Sequence, residues 1–275
     1  MKLHLLGLSL SALALAACGG STGGTGGGAG VGGGAGVGGG AGVGGGSAAG
    51  GGAGGGAAGG SGGGTAAIAY TDYTEGTSPG TVVFEDVCAT GTSVDTALSA
   101  DIPLPFTFHF YAKAETSLRA STNGWLSFSS FVSSSALSTV HQTLPSTAGP
   151  ADSIYVLWEN LVYPAAPAKA LCYATTGTAP NRSFVVQWNQ GSFYSNPIAP
   201  GADLTFEARL NETSDTIDLV YKTITPTAAL AAELPKVTIG VADEEVVSGG
   251  HVAVKFKQST VTPASGTTIR YTPKP

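Results

Sequence analysis

Between Asp203 and Asn211 apolar and polar side chains alternate at every step. Leu204, Phe206, Ala208 and Leu210 fall on one side; Thr205, Glu207, Arg209 and Asn211 fall on the other. Successive Cβ atoms of an extended chain point to opposite sides, so a period of two marks a strand with two unlike faces. A helix would scatter the same residues around its circumference. The pattern breaks from Glu212 to Asp215 and returns with Ile217, Leu219 and Tyr221 inward. The two runs therefore make an antiparallel hairpin.

The alternation recurs elsewhere. Leu104, Phe106, Phe108 and Phe110 share one face, as do Phe184, Val186 and Trp188. Residues 153–158, SIYVLW, are apolar on both faces and predict a central strand. Runs at 81–87, 236–242, 251–257 and 268–272 add further strands. The only helical-looking stretch, 227–234, is short. Asn123-Gly124 supplies positive φ angles for a tight turn, with 117–120 running in and 125–128 running out. That assigns the aromatic cluster behind it, Trp125 and Phe128, to a hairpin corner. A dozen or so short strands separated by turn signals predict an all-β fold, an antiparallel, jelly-roll-like β-sandwich over residues 65–275.

The chain before residue 65 is of another kind. Lys2 is followed by an apolar run over 3–17, shorter than the ~20 residues that a spanning helix needs. A charged start, a short apolar stretch and small residues at its end predict a secretory signal over 1–17. Its last residues, Leu15-Ala16-Ala17-Cys18, resemble the bacterial lipobox. That resemblance implies cleavage before Cys18, acylation of its thiol, and a membrane partner through the lipid anchor. Gly19 in place of an Asp leans, within the same resemblance, toward the outer membrane or cell surface. Most of the 43 glycines lie between Gly19 and Gly64, where GGAGVG repeats in tandem from Gly27, Gly33 and Gly39. Such a tract buries too little apolar surface to offset its ordering entropy, so 18–64 is predicted to be a disordered tether. The G-x-S-x-G match at Gly59 and the G-x-G-x-x-G match at Gly28 fall inside it, away from any strand-to-helix turn, and carry no chemistry.

Charge is sparse, with a net −6 at pH 7 and no basic cluster, which argues against nucleic acid as a partner. Three cysteines leave Cys88 and Cys172 once Cys18 is assigned to lipid. An even remainder in an exported chain predicts a disulfide between them, the alternative being two buried thiols. His109 and His251 fall on polar strand faces, and His141 lies in a loop; none has a metal-ligand neighbour at zinc spacing. The acids Asp243 to Glu245 read as a solvated turn, with Ca²⁺ ligation the sharper alternative. No metal, cofactor or catalytic motif is expected, and the chain reads as a non-enzyme. The connection at 189–203 carries Phe193 and Tyr194 among Asn, Ser, Gly and Pro. It is the candidate binding loop, unless both rings fold back to plug the open end of the sandwich.

Taken as a set, IPLPFTFHFY from Ile102, STNGWLSF from Ser121, GTAPNRSFVVQW from Gly177, LTFEARLNETSDTIDLVY from Leu204 and VTIGV from Val237 resemble an all-β domain of secreted and lipid-anchored bacterial surface proteins. Myxobacterial and planctomycete chains carry many of these, and the domain is distantly nidogen-like. The resemblance spans most of 68–272 and implies a β-sandwich with no established enzymatic activity. Ala112 replaces a usual Gly, and Glu159-Asn160 replaces a frequent acidic pair. The expected role is that of a lipid-anchored surface protein with a structural or binding function toward a protein or glycan. A secreted hydrolase and a carbohydrate-binding module are the alternatives.

Overall fold

The structure, a computed structural model, describes residues 70–77, 82–94, 97–129, 141–163, 170–194, 203–228, 230–247 and 250–275. Of residues 245–247 and 250–254 it describes the backbone alone. Cys18, the apolar leader and the glycine tract lie outside these residues.

The fold is an antiparallel β-sandwich. One sheet holds β1 (Asp72–Thr77), β2 (Thr92–Val94), β8 (Leu171–Thr176), β9 (Ser183–Phe193), β10 (Asp203–Asn211), β11 (Ile217–Thr225) and β14 (Thr267–Lys274), in the order β1-β14-β11-β10-β9-β8-β2. A two-residue strand, β7 (Leu161–Val162), pairs with β9 beside it. The other sheet holds β3 (Ile102–Phe110), β4 (Lys113–Ser121), β5 (Trp125–Ser127), β6 (Ser153–Trp158), β12 (Thr238–Val247) and β13 (Gly250–Gln258), in the order β13-β12-β6-β5-β4-β3. Each sheet is built on a meander of four consecutive strands, β8 to β11 in one and β3 to β6 in the other, so most neighbours in sequence are neighbours in space.

The core between the sheets is made by the alternating residues. Leu204, Phe206, Ala208 and Leu210 of β10 meet Phe184, Val186 and Trp188 of β9, and Ile217, Leu219 and Tyr221 of β11. Phe108, Phe110, Leu118, Ile154 and Val156 face them from the other sheet. Trp188 stacks on Phe206 with ring centroids 5.1 Å apart. A buried ring of this size hides ~150–250 Å², roughly 4 to 6 kcal/mol of apolar burial at ~25 cal/mol/Å². Two polar tips cross the core: Tyr221 OH donates to the Val156 carbonyl at 2.7 Å, and Trp188 Nε1 donates to the Ser121 carbonyl at 2.8 Å.

The SIYVLW run is a central strand, β6, buried at every position and paired with β5 and β12. The outer face of its sheet is covered in turn: Leu144 packs with Trp125, Tyr155, Trp158 and Ala242, and Tyr155 OH donates to the Pro150 carbonyl at 3.0 Å.

Three sequence expectations are corrected here. The run at 81–87, read as a strand, is irregular chain over 82–86 followed by a turn. Its polar backbone groups find side chains instead of a neighbouring strand, as described below. The acids at 243–245, read as a turn, lie within β12, whose register with β13 shifts between Asp243 and Glu244. The helical-looking stretch at 227–234 yields turns and one short 3₁₀ helix, Leu234–Lys236, set by Pro235. An α-helix so short would not offset its nucleation cost.

Candidate functional site

Residues 82–88 run as a strap over the outer face of the β8–β11 meander. Phe84 sits under the Lys222 ammonium of β11, 4.7 Å from ring centroid to nitrogen. The Glu85 amide donates to the Glu207 carboxylate of β10 at 3.3 Å. The Asp86 carboxylate accepts from Gln187 Nε2 of β9 at 3.1 Å. Finally, the Cys88 amide donates to Gln187 Oε1 at 3.0 Å, and Cys88 forms a disulfide with Cys172 of β8. The strap thus crosses four strands in succession. Val87, Cys88, Cys172 and Val185 close a small apolar cluster at its end.

The strap buries what the alternation places on the outside of the sheet. Glu207 is 0% exposed, Gln187 1% and Arg209 7%. Buried polar groups have to find partners, and these do. Arg209 Nε donates to Glu207 Oε1 at 2.6 Å, Arg209 Nη1 to Glu85 Oε1 at 3.3 Å, and Arg209 Nη2 to the Val83 carbonyl. Burial pushes the Glu207 carboxyl up to about 7, against the pull of the Arg209 guanidinium.

Three further polar links join separate segments. Asp215, at φ 49° in the β10–β11 turn, accepts from the His109 backbone N–H at 3.0 Å and from the Tyr70 hydroxyl at 3.1 Å, and its Oδ2 lies 3.1 Å from His109 Nδ1. His109 is therefore half-buried and bonded, not a free surface side chain. His141 Nδ1 meets Oε2 of the buried Glu159, whose other oxygen accepts from the Asn160 amide at 2.8 Å. The Lys113 ammonium lies between Asp152, at 2.7 Å, and Asp243, at 2.8 Å. Burial works against that ammonium, and its hydrogen bonds to the two carboxylates outweigh it, so its pKa rises. Burial also pushes Glu115 beside them up to about 6. Among the described residues no group of three His, Cys, Asp or Glu side chains is placed to hold a metal ion; between Asp152 and Asp243 the lysine supplies the positive charge.

The two aromatics of the candidate binding loop part company. β9 runs on through Phe193, whose ring is 1% exposed within the core, while Tyr194 is 49% exposed. A bulge makes this possible: Gln190 has φ 56°, and the β9–β10 register shifts between Leu204 and Phe206. Phe193 is thus a strand residue of the core, which leaves Tyr194 as the exposed ring. At the Asn123-Gly124 corner, the Gly124 carbonyl accepts from the amides of Val156 and Leu157 at 2.9 and 3.0 Å, and Gly124 has φ 79°. Trp125 behind it is wholly buried. The corner is a structural joint between β4, β5 and β6.

Concave surfaces among the described residues include two of differing character. A groove of about 530 Å³ runs along the sandwich edge between β3 and β8, with Pro103, Leu104, Pro105, Tyr173 and Phe184 on its walls. A cavity of about 400 Å³ is lined by His141, Lys236, Gln258, Ser259, Thr260 and Thr262.

A two-sheet antiparallel sandwich with a disulfide-held strap on one face defines an all-β module. Residues 65–273 match the family described as NIDO related, and the chain belongs to that family. Neither a curated protein nor a solved structure matches the chain.

Proposed function

We propose that the chain is a lipid-anchored surface module with a structural or adhesive role, held at the outer membrane or cell surface through Cys18 and presented on the glycine-rich tether. The observation that carries this reading is the Cys88–Cys172 disulfide, a bond that persists in exported and not in cytosolic proteins. The NIDO-related domain fits a structural or interaction part. The His109–Asp215, His141–Glu159 and Lys113–Asp152/Asp243 contacts fit it too, because each joins segments distant in the chain. Labelled palmitate entering the wild type and not Cys18→Ser is the expected result, with the wild type in the membrane fraction. Equal labelling of the two would overturn the anchor.

A second reading, carbohydrate binding, draws on the cavity beside His141, where Ser259, Thr260, Thr262, Gln258 and Lys236 offer hydrogen-bonding groups. A glycan array with the full chain separates the two: glycan capture lost in Gln258→Ala with folding retained favours this reading, and a blank array favours the first.

A further inference from the structure

The strap at 82–88 differs from the rest of the domain in how it is held. Its chain over 82–86 is irregular, and the groups that hold it there are side chains: Glu207 and Gln187 for two of its amides, Arg209 for the Val83 carbonyl, Lys222 for the Phe84 ring. Val83 is 71% exposed and Val82 and Phe84 are only half-buried, so no apolar side chain of the strap is fully buried before Val87. Segments with few buried apolar contacts open at lower free energy than the core that they cover. Against that stands one covalent bond, placed at the end of the strap where it joins β8.

We propose that the strap is a redox-released cover: reducing Cys88–Cys172 frees it from the sheet and opens Glu207, Arg209 and Gln187 while the sandwich stays folded. The reductant is a dithiol. Its thiolate attacks one cysteine sulfur and forms a mixed disulfide as the partner cysteine leaves as thiolate. Its second thiol then closes on the first, so the dithiol ends as a disulfide and Cys88 and Cys172, each taking up a proton, end as two thiols. With the bond cut, the strap has no covalent tie to the sheet and is held by its hydrogen bonds, the Arg209–Glu85 ion pair, the Lys222–Phe84 contact and the buried side chain of Val87. Glu207 favours release, because lifting the strap rehydrates a carboxylate that burial disfavours. The opened face is a polar row across β9 and β10 whose side chains already pair with the main chain of an extended segment.

Hydrogen exchange on the intact chain tests this, read by mass spectrometry with and without dithiothreitol, full reduction being verified by thiol alkylation. On reduction, amides of the strap should exchange at least about tenfold faster, while those of β3 to β6, and the ladder amides of β9 and β10 beneath it, keep their protection. The double variant Cys88→Ser/Cys172→Ser should match the reduced protein. Unchanged strap protection after full reduction overturns the proposal. So does a simultaneous loss of protection in β3 to β6, which would make the bond a staple of the whole fold, and so does a bond that dithiothreitol reduces only in denaturant.

Discussion

The side-chain oxygen of Asn123 accepts a hydrogen bond from the backbone amide of Leu161 at 3.1 Å, across 38 residues of chain. The Asn123 carbonyl accepts from the Glu159 amide at 3.3 Å as well. One residue of a tight corner thus caps the chain leaving β6 on its way to β7. Asn123→Ala leaves the buried Leu161 amide unpaired, which should cost about 1 to 3 kcal/mol. Asn123→Asp retains an acceptor and should lose less. Urea unfolding of the three proteins gives the order, and an Ala variant as stable as the wild type would show that water replaces the carboxamide.

Phe193 and Tyr194 should respond in opposite ways. Phe193→Ala empties a core site and should destabilise by ~3 to 5 kcal/mol. Tyr194→Ala removes an exposed ring and should move the denaturation midpoint little, within about 0.5 kcal/mol. If the segment binds a partner, only the Tyr194 variant separates binding from folding. Equal losses of stability in the two would place Tyr194 in the core beside its neighbour.

The pH profile follows from buried carboxyls. The folded-state pKa of Glu207 is raised to about 7 and that of Glu115 to about 6, from 4.5, each by burial first; that of Asp152 is raised also. The folded state then binds more protons than the unfolded state between the two values, so stability falls as pH rises from about 4.5 to 7. Glu212 runs the other way: the Arg182 guanidinium holds it at about 2, and what it contributes is lost as pH falls from about 4.5 toward 2. Stability should therefore peak near the lower end of the first window. Thermal melts at closely spaced pH values should show it, and Glu207→Gln should flatten the descent toward pH 7 by roughly 1 to 3 kcal/mol. A wild-type melting temperature that climbs from pH 5 to pH 7 would count against a protonated Glu207.

Tyr70 and His109 both bond to Asp215, so Asp215→Ala removes three contacts at once and leaves the backbone N–H of His109 without its carboxylate. Its expected cost is about 2 to 4 kcal/mol, since hydrogen bonds to a charged group contribute ~1.5 to 3 kcal/mol each and do not add fully. His109→Ala should cost less, because it spares the backbone bond. Chemical unfolding of the two variants checks the order.

How much of this was legible in the sequence depends on what holds each segment. Where the backbone pairs with a neighbouring strand, side chains must alternate, and Leu204 to Leu210 and Ile217 to Tyr221 declared their inward faces openly. Where side chains hold the backbone, alternation carries no message. Val82, Val83 and Phe84 favour a strand by composition, yet their segment is a strap because Glu207, Gln187 and Arg209 take over the ladder's work. A clue was present: Cys172 lies opposite Gln187 in the β8–β9 register, so a Cys88–Cys172 bond brings residue 88 over the outer face beside Gln187. Phe193 was hidden by a bulge. It shares the core with Trp188 at an odd spacing, which simple alternation forbids and the extra residue at Gln190 permits. His109 was misjudged for a different reason, since its partner Asp215 lies 106 residues away in a turn whose position no local pattern records.

The hydroxyl of Tyr221 and the indole N–H of Trp188 reach from one sheet to main-chain carbonyls of the other. Hydrocarbon contact has no preferred direction, so two greasy layers can slip past each other by a fraction of a side chain at little cost. Hydrogen bonds are directional and lengthen badly under such slippage. Two of them, received on β6 and β4, the strands that flank β5, act as dowels through the sandwich: they fix the lateral offset of the layers, which packing volume alone leaves soft.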